Sequence, residues 1–371
     1  MLFSYVFCPH SMDKMQEFIE YIFFHVWCNA TPNKSFELEL FKGHAELYTV
    51  MENIWKQIDI LNKQNEFWDQ VENIYYAFTR LSLAEINQIK QWFMGNNNIE
   101  GACSNRTGVH IVKYVQLKAF NHSLGELLEI FFKDLYDSPV LDRKVVRETI
   151  STINEHYRQF VETNSADVCP FCGLEGLDGQ YEDTREAYDH YLPKSLYPFN
   201  SINFHNLVPA CTKCNSRSKK AKDPLHGTNG NRRKAFYPFL PSQAAPSVRI
   251  DFNCSDYTSM QKRDVFLCFE HEANEEIETW KDLYNIEDRY KAQCCSHRGG
   301  KDWLVEMHAW IQRGESPEGY LAVLTEQAQQ SPFAGARFLK LPFLQACCEA
   351  HVFDAVIPKN FVTDTCADAD R

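Results

Sequence analysis

Apolar residues recur along the first 160 or so positions at intervals of three and four, the spacing of helices with one buried face. Within 64–79, Phe67, Val71, Ile74, Tyr75 and Phe78 fall on one such face. The pattern repeats over 12–29, where the run FIEYIFFHVW (18–27) carries Glu20 and His25. A membrane span needs about 20 mostly apolar residues, so this run predicts a buried helix, with His25 as a satisfied core residue. LAEINQIKQWF (83–93) predicts a further helix, with Ser82 and Glu85 spaced as a capping box. GNNNIEGACSNRTG (95–108) reads as a polar loop. HSLGELLEIFFKDLYD (122–137) and VVRETISTINEHYRQFVET (145–163) predict two more helices.

The pattern changes at about residue 165. Helical periodicity fades up to about 245, while Cys, Pro, Gly, Asn and Lys become frequent. Beyond that, VRIDF (248–252) and DVFLCFE (264–270) alternate like strands. Helices return over 277–295 and near 301–312, 317–329 and 337–351, and the tail after Lys359 reads as polar and loose. The expected class is α+β, in three regions. Residues 1–164 form a helical region suited to docking a partner, 165–245 a loop-rich module, and 246–371 a mixed region of strands and helices.

Composition narrows the function. The chain has 371 residues, 44% hydrophobic and 14% aromatic, enough for a packed core. The formal net charge is −12, so the chain as a whole is no basic nucleic-acid coat, and any polyanion contact must come from a local patch. The start, MLFSYVFCPHSMDKMQ, lacks a basic segment and a cleavage site, which makes the cytoplasm the expected compartment, with no membrane partner. In that reducing setting the 14 cysteines do not predict a disulfide framework. No Walker-type glycine loop is present.

Four of the cysteines stand apart. Cys169-Pro-Phe-Cys172 and Cys211-Thr-Lys-Cys214 are two C-x-x-C pairs a few tens of residues apart. Each pair can bite one zinc ion, which closes the intervening loop and stabilises a module with little apolar core. A site filled by four cysteines is structural, so any chemistry lies in what the zinc holds in place. Between and beside the pairs lie Asp189, His190, Asn206 and Asn215.

Asp189-His190 with Pro193, then NLVPAC from Asn206, then Cys214-Asn215, resemble the motif of HNH endonucleases, the ββα-metal nucleases. The resemblance covers about 169–222, and a four-cysteine zinc frame is seen in many members. It implies His190 as general base, Asp189 and Asn215 as ligands of a catalytic Mg²⁺ or Mn²⁺, and Asn206 as the residue that orients the His190 loop. The residues support the same chemistry independently. Phosphodiester hydrolysis needs a base that titrates near neutrality, which suits His190. It also needs positive charge near the leaving oxygen, and a hard cation prefers oxygen ligands such as Asp189 and the Asn215 amide. Many relatives carry His at the Asn215 position; Asn favours an oxygen-liking metal.

If a helix starts near Cys211, then Asn215, Lys219 and Lys222 share a face. Lys219, Lys222 and Lys194 are thus expected to meet phosphate, with DNA as the favoured substrate. His205 and the 232–234 basic run are expected to be structural and solvated, respectively. FYPFLP (236–241) is expected to clamp the module by apolar contact. REAYDHYLPKSLYPF, NLVPACTKCNS and FYPF also resemble the HNH subunits that pair with an ATPase in Septu-type and retron-associated anti-phage systems. That implies control by a partner ATPase. An RNase on the same scaffold, for example one cutting tRNA, and a non-catalytic zinc module that binds nucleic acid or protein remain as alternatives.

Overall fold

Helix starts are set by side chains that accept the first free N–H groups. Asn65, Ser82, Asn121 and Thr152 each accept a bond from the backbone N–H three residues on. Ser82 and Glu85 form the expected capping box: the Glu85 carboxylate in turn accepts the Ser82 backbone N–H at 2.8 Å. Each such cap stabilises its helix by about 1 kcal/mol. The structure, a computed structural model, describes residues 1–59, 65–139, 141, 143–165, 167–240, 245–253 and 259–353. The tail after Lys359 and Pro241 of FYPFLP lie outside the described residues. Helices dominate, with two two-stranded sheets among the described residues, so the class is α+β with a helical N-terminal region.

The chain groups into two units. One comprises Ser4–Asp167 and Leu177–Ser242. Its helices include Glu66–Phe78, Leu83–Asn97, His122–Asp134 and Ile153–Asn164. They pack around large buried rings: Phe23 stacks on Phe93 at 4.0 Å, and Trp27 meets Phe131 edge to face at 5.3 Å. This unit carries the hairpin of β1 (Tyr188–His190) and β2 (Leu207–Pro209). The other unit comprises Met1–Phe3, Val168–Gly176 and Gln243–Arg371. It carries an antiparallel pair, β3 (Ser247–Phe252) and β4 (Val265–Glu270), with helix Arg337–Glu349 against β3 through Phe343 and Phe252.

Several elements differ from expectation, each for a local reason. The 12–29 run is not one α-helix. It passes from α (Lys14–Tyr21) to a wider π turn (Ile22–Val26) and then a 3₁₀ turn (Trp27–Asn29). The wider turn keeps Ile22, Phe23, Val26 and Trp27 buried and leaves His25 exposed, stacked on Tyr21 at 4.7 Å. The helix expected over 145–163 breaks at Ser151, where φ is 73°, and Thr152 caps a new one. The 277–295 helix breaks likewise at Asn285, where φ is 51°. Helix Ala45–Asp59 lies in the region read as helical, although no helix was placed at those positions.

The 95–108 stretch is largely not a loop. The helix continues to Asn97, and a short one follows at Ile99–Cys103. Its glycine and asparagines serve packing. Gly95 lies so close to the 110 backbone that a Cβ would sit 1.9 Å from the His110 carbonyl oxygen. Asn96 is fully buried and donates to the carbonyls of Val112 (2.9 Å) and Pro198 (3.0 Å). Asn200 donates back to the Asn96 carbonyl at 2.9 Å, and Asn203 to the Asn97 side chain at 3.0 Å. This helix end therefore pins the segment between the two strands of the β1–β2 hairpin. Gly95→Ala is expected to destabilise the protein by about 3 kcal/mol, as overpacking against rigid backbone does. A urea-denaturation midpoint equal to wild type would refute this.

Candidate functional site

β1 and β2 are antiparallel, with Tyr188 opposite Pro209, Asp189 opposite Val208 and His190 opposite Leu207. A helix of seven residues, Lys213–Lys219, follows β2. It is a π-helix, wider than the α-helix expected here, and Lys220 leaves it at a φ of 52°. Lys222 is therefore off the helix. The order strand, long loop, strand, helix places Asp189 and His190 at the end of one strand and Asn215 and Lys219 on the helix after the other.

Asn206 is fully buried and holds the chain that follows His190. Its side-chain oxygen accepts the Leu192 N–H at 2.7 Å, and its amide nitrogen donates to the Leu192 carbonyl at 3.0 Å. The same nitrogen reaches the Asn200 carbonyl at 3.2 Å, and the Tyr191 N–H donates to the Asn206 carbonyl at 2.9 Å. One amide thus satisfies both the N–H and the carbonyl of buried Leu192 and ties two arms of the loop. This makes Asn206 a positioning residue.

His190 is anchored at one nitrogen. Nε2 lies 2.9 Å from the Ser201 carbonyl oxygen, which only accepts, so Nε2 carries the proton. Nδ1 is then the lone-pair nitrogen, and it has no hydrogen-bond partner among the described residues. The Tyr136 ring meets the imidazole edge to face at 4.7 Å. Burial pushes the His190 pKa down to about 4, the Ser201 bond opposes this, and the charges of Lys194 and Lys219 add to the lowering. The ring is therefore neutral near pH 7, but it titrates well below the near-neutral range expected of it, because burial disfavours the imidazolium.

Asp189 is buried, at 2% exposure. Its Oδ1 accepts from the Lys219 ammonium at 2.9 Å, and the same ammonium donates to the His190 carbonyl at 2.8 Å. Its Oδ2 is buried with no hydrogen-bond partner. Burial raises the Asp189 pKa, and Lys219 opposes that rise. A bare, buried carboxylate oxygen is the feature that a hard cation would complete, so Asp189 fits the metal-ligand role expected of it. Asn215 sits four residues before Lys219 on the π-helix. It is half-buried, and its side chain has no hydrogen-bond partner among the described residues.

The expectations for Lys219 and Lys194 need correction. Lys219 is completely buried and spent on Asp189, so it does not present its charge to phosphate. The Lys194 ammonium is held by Asp137 and by the Lys133 carbonyl (3.1 Å). Lys222 is half-buried, its N–H on the Lys219 carbonyl. The 232–234 run is not merely a solvated loop. Arg232 donates to the carbonyls of Ala102 (2.7 Å) and Leu225 (3.0 Å), and Arg233 to that of Asp223 (2.6 Å). His205 is structural, stacked on Phe7 at 3.9 Å and bonded to the Tyr237 hydroxyl at 2.8 Å. Phe236, Tyr237 and Phe239 are buried, as a clamp requires.

The four cysteines come together as their spacing predicts. Cys169, Cys172, Cys211 and Cys214 are buried, and their sulfurs lie within 4.8 Å of one another. Zinc–sulfur bonds of about 2.3 Å place four sulfurs roughly 3.8 Å apart, so this cluster could hold a zinc ion with little closing movement. Each knuckle is a tight turn: the Gly173 N–H bonds the Cys169 carbonyl at 2.8 Å, and the Asn215 N–H the Cys211 carbonyl at 2.9 Å. Around the first knuckle, Trp280 donates to the Phe171 carbonyl (2.8 Å) and Tyr290 to that of Cys172 (3.0 Å).

Three neighbours of the site left no readable signal in the sequence. Tyr136 ends an ordinary helical stretch, and Ser201 acts through its backbone. His156 is buried in helix Ile153–Asn164, 2.5 Å from the Tyr188 hydroxyl and 4.1 Å from the Phe204 ring centre. Its role is to back the β1 strand that carries Asp189.

Among known proteins, the chain is 28% identical over 120 residues, 32% of its length, to Protein ea31 of Escherichia phage lambda. The aligned part spans 33% of that protein. No protein-family model matches the chain, and no solved structure matches it. Among the described residues, no helix is long and apolar enough to cross a membrane.

Metal analysis should find close to one zinc per chain, and Cys211→Ser should lower the melting temperature more than His190→Ala does. Absence of zinc, or equal melting of the two variants, would remove the structural-zinc assignment. Burial lowers the His156 pKa to about 3, below the roughly 6.5 of an unfolded chain. Between those values the unfolded chain takes a proton that the folded one refuses, so stability falls as pH drops through that window. Denaturation at about pH 7 and about pH 4.5 should show a smaller loss in His156→Gln than in wild type. An equal loss in both would contradict this.

Proposed function

We propose that this chain is a metal-dependent endonuclease of the HNH type that hydrolyses phosphodiester bonds, with DNA as its substrate. The observation that carries the reading is the pair at the end of β1: Asp189 with a bare buried oxygen, and His190 fixed at Nε2 with Nδ1 free. Asp189 and Asn215 would hold Mg²⁺ or Mn²⁺, which when bound supplies positive charge at the scissile phosphate. His190 Nδ1 takes the proton of the attacking water. The Ser201 carbonyl fixes the tautomer that leaves Nδ1 able to do so, and Asn206 keeps the loop in place. Lys219 neutralises Asp189 from below.

The wider setting rests on the resemblance of REAYDHYLPKSLYPF, NLVPACTKCNS and FYPF to anti-phage HNH subunits. In that setting the chain is a cytoplasmic defence effector held in check by a partner ATPase. One observation favours a second reading. Lys219 already gives Asp189 a cation, as a zinc module that only binds nucleic acid or protein would allow.

Plasmid cleavage with Mg²⁺ and Mn²⁺, alone and with any co-purifying partner, separates the two. Metal-dependent cutting that falls about 10²–10⁴-fold in His190→Ala is expected, the usual contribution of a general base. The same assay on matched RNA decides between DNA and RNA. Absence of cutting on either nucleic acid, or cutting unchanged in His190→Ala, would move the assignment to the binding module.

A further inference from the structure

With Lys194 and Lys219 committed to carboxylates, the proposed nuclease needs another grip on its substrate. A cleft of about 390 Å³ lies beside the hairpin, within the range of small-ligand pockets. Its wall includes Tyr136 and Leu207. These are the ring in contact with His190 and the residue directly opposite His190 across the β1–β2 pair. Directly opposite residues of an antiparallel pair project to the same face, so the cleft runs up to the His190 side of the hairpin.

The cleft is lined by both apolar and basic side chains. Met12, Leu141 and Phe204 are among the first, and Arg147 and Arg185 are the second. Arg147 is exposed, and its guanidinium has no hydrogen-bond or ion-pair partner among the described residues. Arg185 is aimed by two bonds, Nε to the Asn154 side chain at 2.9 Å and Nη1 to the Glu186 carbonyl at 3.2 Å. Its Nη2 has no such bond among the described residues. Two of the acidic groups nearby are engaged elsewhere. Asp137 pairs with Lys194, and Glu155 caps the Ser151–Thr152 turn.

We propose that this cleft binds one nucleotide of the strand being cut, next to the scissile phosphate, with Arg147 and Arg185 on its phosphate and its base against the apolar side chains of the lining. The inference rests on the nuclease reading, and it assigns the substrate grip to these two arginines. An arginine fork suits a phosphate because its planar N–H groups match two oxygens at once, and one prealigned arginine loses less freedom on binding. Apolar side chains accept any base, so the cleft gives affinity without sequence choice.

The test is binding, kept separate from cutting. A short fluorescein-labelled single-stranded DNA is titrated into the full chain carrying His190→Ala, over a range of salt concentrations. Adding Arg147→Gln is expected to weaken binding about tenfold, and the pair Arg147→Gln and Arg185→Gln further. The pair should also flatten the slope of log affinity against log salt by about 1.4, the value for two lost phosphate contacts on a single strand. Because Arg185 also braces Asn154, Arg147→Gln is the deciding variant, and its melting temperature should match that of the parent. Unchanged affinity and salt slope in a folded Arg147→Gln protein would overturn the proposal. If wild type cuts DNA and Arg147→Gln leaves KM unchanged, the cleft fails while the nuclease reading stands. If the arginine variants lose binding but no form of the protein cuts, the cleft stands and the nuclease reading falls.

Discussion

A carboxylate buried with one oxygen paired and the other bare is the constraint on which the rest of the site depends. Burying an ionised group unpaired costs several kcal/mol, and Lys219 offsets that cost on Oδ1 of Asp189. Oδ2 has no such help. An orphaned buried acceptor costs about 1–3 kcal/mol, and such a group calls for a partner such as water or an ion. Lys219 makes Asp189 tolerable in the fold, and Oδ2 has no partner among the described residues. Losing Lys219 would strand the charge altogether, so this lysine belongs to the foundation of the site and not to its surface.

Around that pair the protein builds with neutral amides. Asn206 clamps the peptide after His190, Asn200 links Asn206 to Asn96, and Asn96 holds Pro198 from the end of a helix. Each is buried and bonded through its side chain, so the network specifies one loop shape without burying further charge. The consequence for chemistry is positional. His190 presents Nδ1 because the loop brings the Ser201 carbonyl to Nε2, and that loop is shaped by buried amides.

How much of this could be read beforehand depended on whether a residue's role was local. The C-x-x-C pairs were legible because metal geometry imposes spacing on the chain itself, and the Ser82–Glu85 cap because it acts over three residues. Asp189, His190 and Asn206 were singled out through a resemblance that encodes their order, and the fold sets Asp189 and His190 at the end of β1 with Asn206 holding the chain beyond them. The helix end at 95–103 was misread as a loop, since glycine and asparagine signal turns unless tertiary packing needs a close approach and buried amides. His25 was misplaced because a π turn shifts the face that periodicity assigns. Lys219 was read as a surface charge from its neighbours in sequence, whereas its partner, Asp189, lies thirty residues away. Arg147 and Arg185 drew no notice, because only the fold brings them to one cleft.

The most direct measurement is the binding of Mn²⁺ to the zinc-loaded protein, followed by electron paramagnetic resonance in wild type and Asp189→Asn. Saturable binding of one Mn²⁺ in wild type, lost or greatly weakened in Asp189→Asn while zinc content is kept and the variant remains folded at a melting temperature lowered by the stranded Lys219 charge, is the expected result. No Mn²⁺ bound by the wild-type protein, or equal binding by both, would contradict a catalytic cation at the end of β1.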